Sequence, residues 1–364
     1  MHRLFCLLTL IATLAAGDFI TTKSAAGNEP VAIRKWPAGN LSVETFPGPK
    51  FNIWPDGTFK TTTTDNMPVG DTIDVQQVKL GDNSAFAVQL NASGAQITII
   101  PASSMDQPWH GDFPESLAAN LLVLGGDSAK SLMSPQTKRL VTHLDPPQIL
   151  LSDVDPQSET FSAISEWLLS ESQSRRISHN TLAISAKRDD APARQVIAMT
   201  DQAWPMPADL NELFTAMEKS CKASQEVFAE LSAEQMNFEP SNGTHTPRWN
   251  AEHMMGRQLK FFSEIYHAVD PAIPVMDLNP KQMPPDYRAA HPDWDGAEEA
   301  RQMERVSQFC RRFAYLLDGI SPDQKAPASR WPSLAALLKQ MDRHYDEHTA
   351  NTVQKFSLPD WPAK

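Results

Sequence analysis

His344 and His348 stand four residues apart in Gln340-Met341-Asp342-Arg343-His344-Tyr345-Asp346-Glu347-His348-Thr349, close to the C-terminal end of a 364-residue chain. On a helix this spacing puts both imidazoles on one face, about one turn apart, where two nitrogens can converge on one divalent cation. Leu334, Leu337, Leu338 and Met341 recur ahead of them at three- and four-residue intervals and define an apolar stripe. The stripe leads on to His344 and His348, so both are expected to point into a helical core. Two histidines hydrogen-bonded at a helix-packing surface would leave the same trace. A metal site needs a third ligand from elsewhere in the chain.

The elements that must position such a ligand lie after Trp204-Pro205-Met206-Pro207, whose two prolines can continue neither a helix nor a central strand and read as a short stiff linker. Asp209 to about Leu231 is expected as a helix, with Asp209 as N-cap, Glu212 as its capping-box partner, and Leu210, Phe214, Met217 and Phe228 on its buried side. Further helices are expected from about Trp249 to Val269, Gly296 to Leu317 and Trp331 to Phe356. Four such helices with proline-rich connections describe a four-helix bundle over 208–358. The long connection from Asp270 to Asp295 reads as a lid or as padding over one end. His253 lies in the first turns of the second helix. At ~100° per residue it turns away from the face marked by Met255, Leu259, Phe262 and Tyr266. It would face the core only if that helix is buried on two sides, as Met254 and Phe261 suggest. His245, His267 and His291 are weaker alternatives.

Trp249-Asn250-Ala251-Glu252-His253 early in the second helix, together with His344-Tyr345-Asp346-Glu347-His348 in the last, resembles the DinB/YfiT-like four-helix-bundle family. In that family one histidine of the second helix and a His-x-x-x-His pair of the last bind a divalent metal. The resemblance covers Asp209 to Phe356 and implies a metal site made of His253, His344 and His348. Three neutral imidazoles suit Zn, Ni, Fe or Mn, and leave coordination positions for water or substrate. Glu252, Asp346 and Glu347 are nearby acids that could hold the other ring nitrogens, but adjacent residues on a helix face different ways, and solvated charges are the plainer reading. Members of the family include thiol S-transferases, a thiol-dependent isomerase and proposed metal-dependent hydrolases. Two classes follow as expectations: a metal-dependent hydrolase or transferase acting on a small-molecule substrate, or a non-catalytic metal-stabilised binding module.

The remainder of the chain sets the context. Met1 to Gly17 reads as a signal peptide, with a polar head, an apolar run and a small-residue cleavage site, so the protein is expected to be exported. No later apolar run approaches the ~20 residues of a membrane span. A net charge of −12 with no basic cluster argues against nucleic acid. Cys221 and Cys310, in predicted helix interiors, read as buried free thiols. Residues 31–204 read as a mixed α/β domain. Hairpins are expected over Ala32–Trp36 with Leu41–Phe46 and over Phe86–Leu90 with Gln96–Ile100. Strands are expected at Ile149–Leu151, Thr181–Ser185 and Gln195–Met199, a helix over Glu159–Leu169, and a polar loop at Thr61–Asn66. The order faintly resembles a metallo-β-lactamase-like fold, but its His-x-His-x-Asp-His motif is missing. His143 and Asp145, the nearest approach to it, read as a surface loop. The domain is assigned no chemistry, and the oligomeric state, a dimer included, stays open.

Overall fold

The computed structural model describes residues 30–45, 50–55, 57–62, 73–80, 85–109, 111–168, 173–184 and 194–363. The expected signal peptide lies outside these, as do residues 63–66 of the expected polar loop. Thr61 and Thr62 close a strand instead.

The strands are β1 (Val31–Lys35), β2 (Leu41–Thr45), β3 (Lys50–Ile53), β4 (Phe59–Thr62), β5 (Asp74–Lys79), β6 (Phe86–Ala92), β7 (Ala95–Ile100), β8 (Leu121–Leu124), β9 (Gln148–Leu151), β10 (Gln173–Ile177), β11 (Thr181–Ile184) and β12 (Gln195–Met199). One antiparallel sheet runs β11-β1-β2-β3-β4. The other runs β10-β12-β9-β8-β7-β6-β5, parallel from β10 to β7 and antiparallel beyond. Both expected hairpins are present. In the second, Ser93 (φ 47°) and Gly94 (φ 82°) form a two-residue turn with both φ positive, which matches the twist of the strands it joins.

Side-chain alternation sets the layering. Val31, Ile33 and Val43 of the first sheet pack against Val88, Ile97, Val123 and Ile197 of the second. On the second sheet's other face Leu122, Ile149 and Val196 meet Leu140, Phe161 and Ile164. Those residues come from α3 (Pro135–Leu144) and α4 (Glu159–Leu168), which follow the short α1 (Ala102–Met105) and α2 (Ala129–Leu132). The first sheet turns its outer face to the helical half, where Ala32 and Ala183 belong to the helices' own core. His143 and Asp145 end α3 rather than forming a loop: Asp145 caps it in the left-handed region, and Arg194 pairs with Asp145.

The helical half contains α5 (Ala208–Phe228), the single turn α6 (Ala233–Met236), α7 (Pro247–Val269), α8 (Gly296–Arg312) and α9 (Leu334–Val353). α5 packs on α8 and α9, and α7 packs on the same two. The third expected helix breaks after Arg312 into a 3-10 turn, Ala314–Leu317, and the fourth begins at Leu334 rather than Trp331. The expected capping box at Asp209 is not formed. Pro207 occupies the cap position and Asp209 falls in the first turn, while a capping box closes instead at Ser232 and Gln235. Gly296 opens α8 against the end of α5. A Cβ there would lie 1.8 Å from the Phe228 carbonyl oxygen, so only glycine allows this approach. Cys221 and Cys310 are buried and unbridged.

Candidate metal centre

The start of α7 is built to be rigid. Thr246 Oγ1 accepts from the Trp249 amide at 3.0 Å, Pro247 takes the first helical position, and Pro247 through Gly256 are all buried. That burial on every side resolves the phase of His253. The loop after α7 covers the outward face. Glu252 accepts from Asn279 Nδ2 at 2.7 Å, from the Ala290 amide at 2.9 Å and from the Tyr287 hydroxyl at 3.2 Å. Trp249 Nε1 donates to the Gln282 carbonyl at 2.9 Å. Beneath this cover His253 is 9% exposed and faces α9.

α9 runs antiparallel to α7, and its Leu337, Leu338, Met341 and Tyr345 are buried in the bundle core. His344 and His348, one step round the helix, are partly exposed. One nitrogen from each of His253, His344 and His348 lies within 4.8 Å of the others. Ring centroids are 4.9 Å apart for His253 and His344, 5.1 Å for His253 and His348, and 4.6 Å for His344 and His348.

Two observations are compatible with a cation in this donor set, which could hold one. Nδ1 of His253 and Nδ1 of His344 are buried without a hydrogen-bond partner, an arrangement that costs free energy unless something else satisfies the lone pair or proton. Burial pushes the His253 pKa down to about 3, with the neighbouring His344, His348 and Arg257 charges adding to it. Burial and His348 bring His344 to about 4, and burial lowers His348 too. All three are therefore neutral near pH 7, the form that ligates metal.

The tautomer of His348 follows from a chain of hydrogen bonds. Lys355 Nζ, which can only donate, gives one to Asn351 Oδ1 at 2.7 Å. That oxygen also accepts from Asn250 Nδ2 at 2.9 Å, whose second proton goes to Thr352 Oγ1 at 3.0 Å. Asn250 must then turn Oδ1 toward His348, whose Nδ1 stands 2.9 Å away and carries the proton. Nε2 of His348 keeps its lone pair for the cluster.

None of the three nearby acids holds a ring, in line with their reading as solvated or otherwise engaged charges. Glu252 anchors the 270–295 loop, while Asp346 and Glu347 are exposed, Glu347 pairing with Arg343 at 3.3 Å. His245 stacks on Trp249 at 3.7 Å, and Trp249 in turn on His253 at 4.5 Å. His267 Nδ1 bonds the Ile273 carbonyl, and His291 stacks on Trp294. Asn250 was not singled out from sequence. Its signal was its place three residues before His253, on the same helical face.

The chain matches no family model, no curated protein and no solved structure.

Proposed function

We propose that the helical half is a DinB-like four-helix bundle whose His253, His344 and His348 hold one divalent metal ion, and that the protein is an exported metal-dependent hydrolase or transferase. The observation that carries this reading is the convergence of three neutral imidazoles from two helices, two of them with orphaned buried nitrogens. A three-histidine ion would supply Lewis acidity and a water of lowered pKa. The chain's own part is to keep the rings neutral and oriented. Trp249 stacks against His253, and Asn250 fixes His348. Partial exposure of His344 and His348 favours a centre that small molecules can reach over a purely structural one.

The two stacked sheets, with α3 and α4 outside one and the helical half outside the other, support reading residues 31–204 as a metallo-β-lactamase-like domain that has lost its metal motif. It would then act in binding or packing.

Metal analysis of the purified chain tests the reading, with about one equivalent of Zn, Ni, Fe or Mn expected. His344→Ala and His253→Ala should each lose it. Equal metal content in parent and variants would remove the basis for the proposal.

A further inference from the structure

A cavity of about 530 Å³ lies between the outer face of the first sheet and helices α5 and α8, lined among others by Arg34, Glu44, Lys222, Glu304, Arg311 and Arg312. None of its lining residues belongs to the metal centre. Its volume falls in the ~300–1,000 Å³ typical of ligand pockets, which favour junctions of this kind.

The charges around it are not balanced pair by pair. Arg311 is satisfied by both oxygens of Glu218, at 2.7 and 2.6 Å. Arg312 Nε stands 3.3 Å from Glu44 Oε2. The other Glu44 oxygen accepts from Ser42 Oγ at 3.2 Å, and Ser42 Oγ accepts from Trp36 Nε1 at 3.0 Å, so this carboxylate is held toward Arg312. Arg34 makes no ion pair among the described residues. Its guanidinium lies 5.4 Å above the Trp36 ring, and its Nε is buried with no hydrogen-bond partner. A buried guanidinium donor without an acceptor is costly, and the rest of this guanidinium is the group left to meet a partner.

Across the cavity Lys222 is exposed on α5 and is likewise in no ion pair among the described residues. Glu304 joins Glu44 and Glu218 among the acids of the lining, and it accepts from Gln308 Nε2 at 3.1 Å. Two unpaired cations meeting here stand out in a chain of net charge −12. Arg34 also bears on Arg312, which burial chiefly, and the Arg34 charge in addition, hold below its usual pKa.

We propose that this cavity binds a small organic anion, whose carboxylate or phosphate oxygens are received by Arg34, with Lys222 opposite and Arg312 at the edge. Gln225, Ser307 and Gln308 offer neutral polar groups to the rest of such a ligand. The site is independent of the metal centre and does not stand or fall with it.

Calorimetric titration of the full chain at low ionic strength, with inorganic phosphate in one arm and citrate in another, tests this. Saturable one-site binding is expected in at least one arm, and the tighter arm tells phosphoryl from carboxylate recognition. Arg34→Gln should weaken binding by about tenfold or more, the loss expected for a hydrogen bond to a charged group. Lys222→Gln should weaken it less, and His344→Ala should leave it unchanged. Lys222 is an exposed helix position, so that variant carries the test should Arg34→Gln fail to fold. Absence of binding in both arms, or equal affinity in the parent and in Arg34→Gln and Lys222→Gln, would overturn the proposal.

Discussion

Asn250 Oδ1 lies 2.9 Å from Nδ1 of His348, and the direction of that hydrogen bond is set by Lys355 acting through Asn351. One amide thus decides which imidazole nitrogen faces the cluster. Such outer partners of a ligating histidine are worth roughly 10–100-fold in metal affinity. Asn250→Ala should weaken binding by that factor in a competition titration against a chromophoric chelator. Asn250→Asp keeps an acceptor for the Nδ1 proton and should lose much less. Equal losses in the two variants would mean that Asn250 acts through packing alone.

The ion would join α7 to α9, so its removal should loosen the helical half. A ligand present at 100 times its dissociation constant adds about 2.7 kcal/mol of stability. The melting temperature should drop by several degrees when the parent is stripped by a chelator, and recover on adding metal back. His344→Ala should show no response to the chelator. A melt that is the same with and without metal would break the link.

Arg248 and Glu299 form a fully buried ion pair at 2.7 Å, with 1% and 0% of the side chains exposed. Burial pushes the Glu299 pKa up, and the Arg248 guanidinium beside it works in the opposite direction to keep the carboxylate charged. Arg248 Nε also donates to Asn237 Oδ1 at 2.6 Å, which ties the start of α7 to the α6 turn. Breaking such a pair costs about 3–5 kcal/mol, whereas replacing both partners with apolar groups can be neutral. Arg248→Met should therefore be more destabilising by chemical denaturation than the double variant Arg248→Met, Glu299→Leu. The reverse ranking would show that the pair is net stabilising.

His179 packs against Tyr315 at 4.4 Å, where the first sheet meets the helices, and burial brings its pKa from 6.5 down to about 4. A lowered histidine pKa means the folded state resists the proton that the unfolded chain accepts. The stability tied to neutral His179 is present above pH 6.5, declines below that, and is lost as pH falls through about 4. The drop corresponds to on the order of 3 kcal/mol. His179→Gln should flatten the fall of stability between pH 6.5 and 4 in denaturant titrations. An unchanged pH dependence would show that the group titrates normally.

Much of the site could be read in the chain because helical spacing is local. His344 and His348 sit four apart on one helix; the buried stripe continues from Met341 to Tyr345, and the two histidines lie one step round from it, partly exposed and together. His253 was ambiguous from periodicity because that reasoning assumes one buried face, whereas α7 is enclosed by the core on one side and by residues 270–295 on the other. Adjacent residues on a helix diverge, so Asn250, three positions from His253, reaches the cluster and Glu252 does not. In the sheets, the hairpins with clear turn residues were legible. The polar edge strand β5 (Asp74–Lys79) and the strand β8 (Leu121–Leu124), buried on both faces, offered no alternation to detect. Arg34 gave no sign of its surroundings, because they form only when the sheet and helices meet.

Ala32 and Ala183, from two strands of the first sheet, are part of the apolar core built by the helices. A chain severed at the Pro205–Pro207 stretch would bare that seam on both pieces. The halves are better regarded as one cooperative body with a prolyl crease than as beads on a string, and each fragment would depend on the other for its solubility.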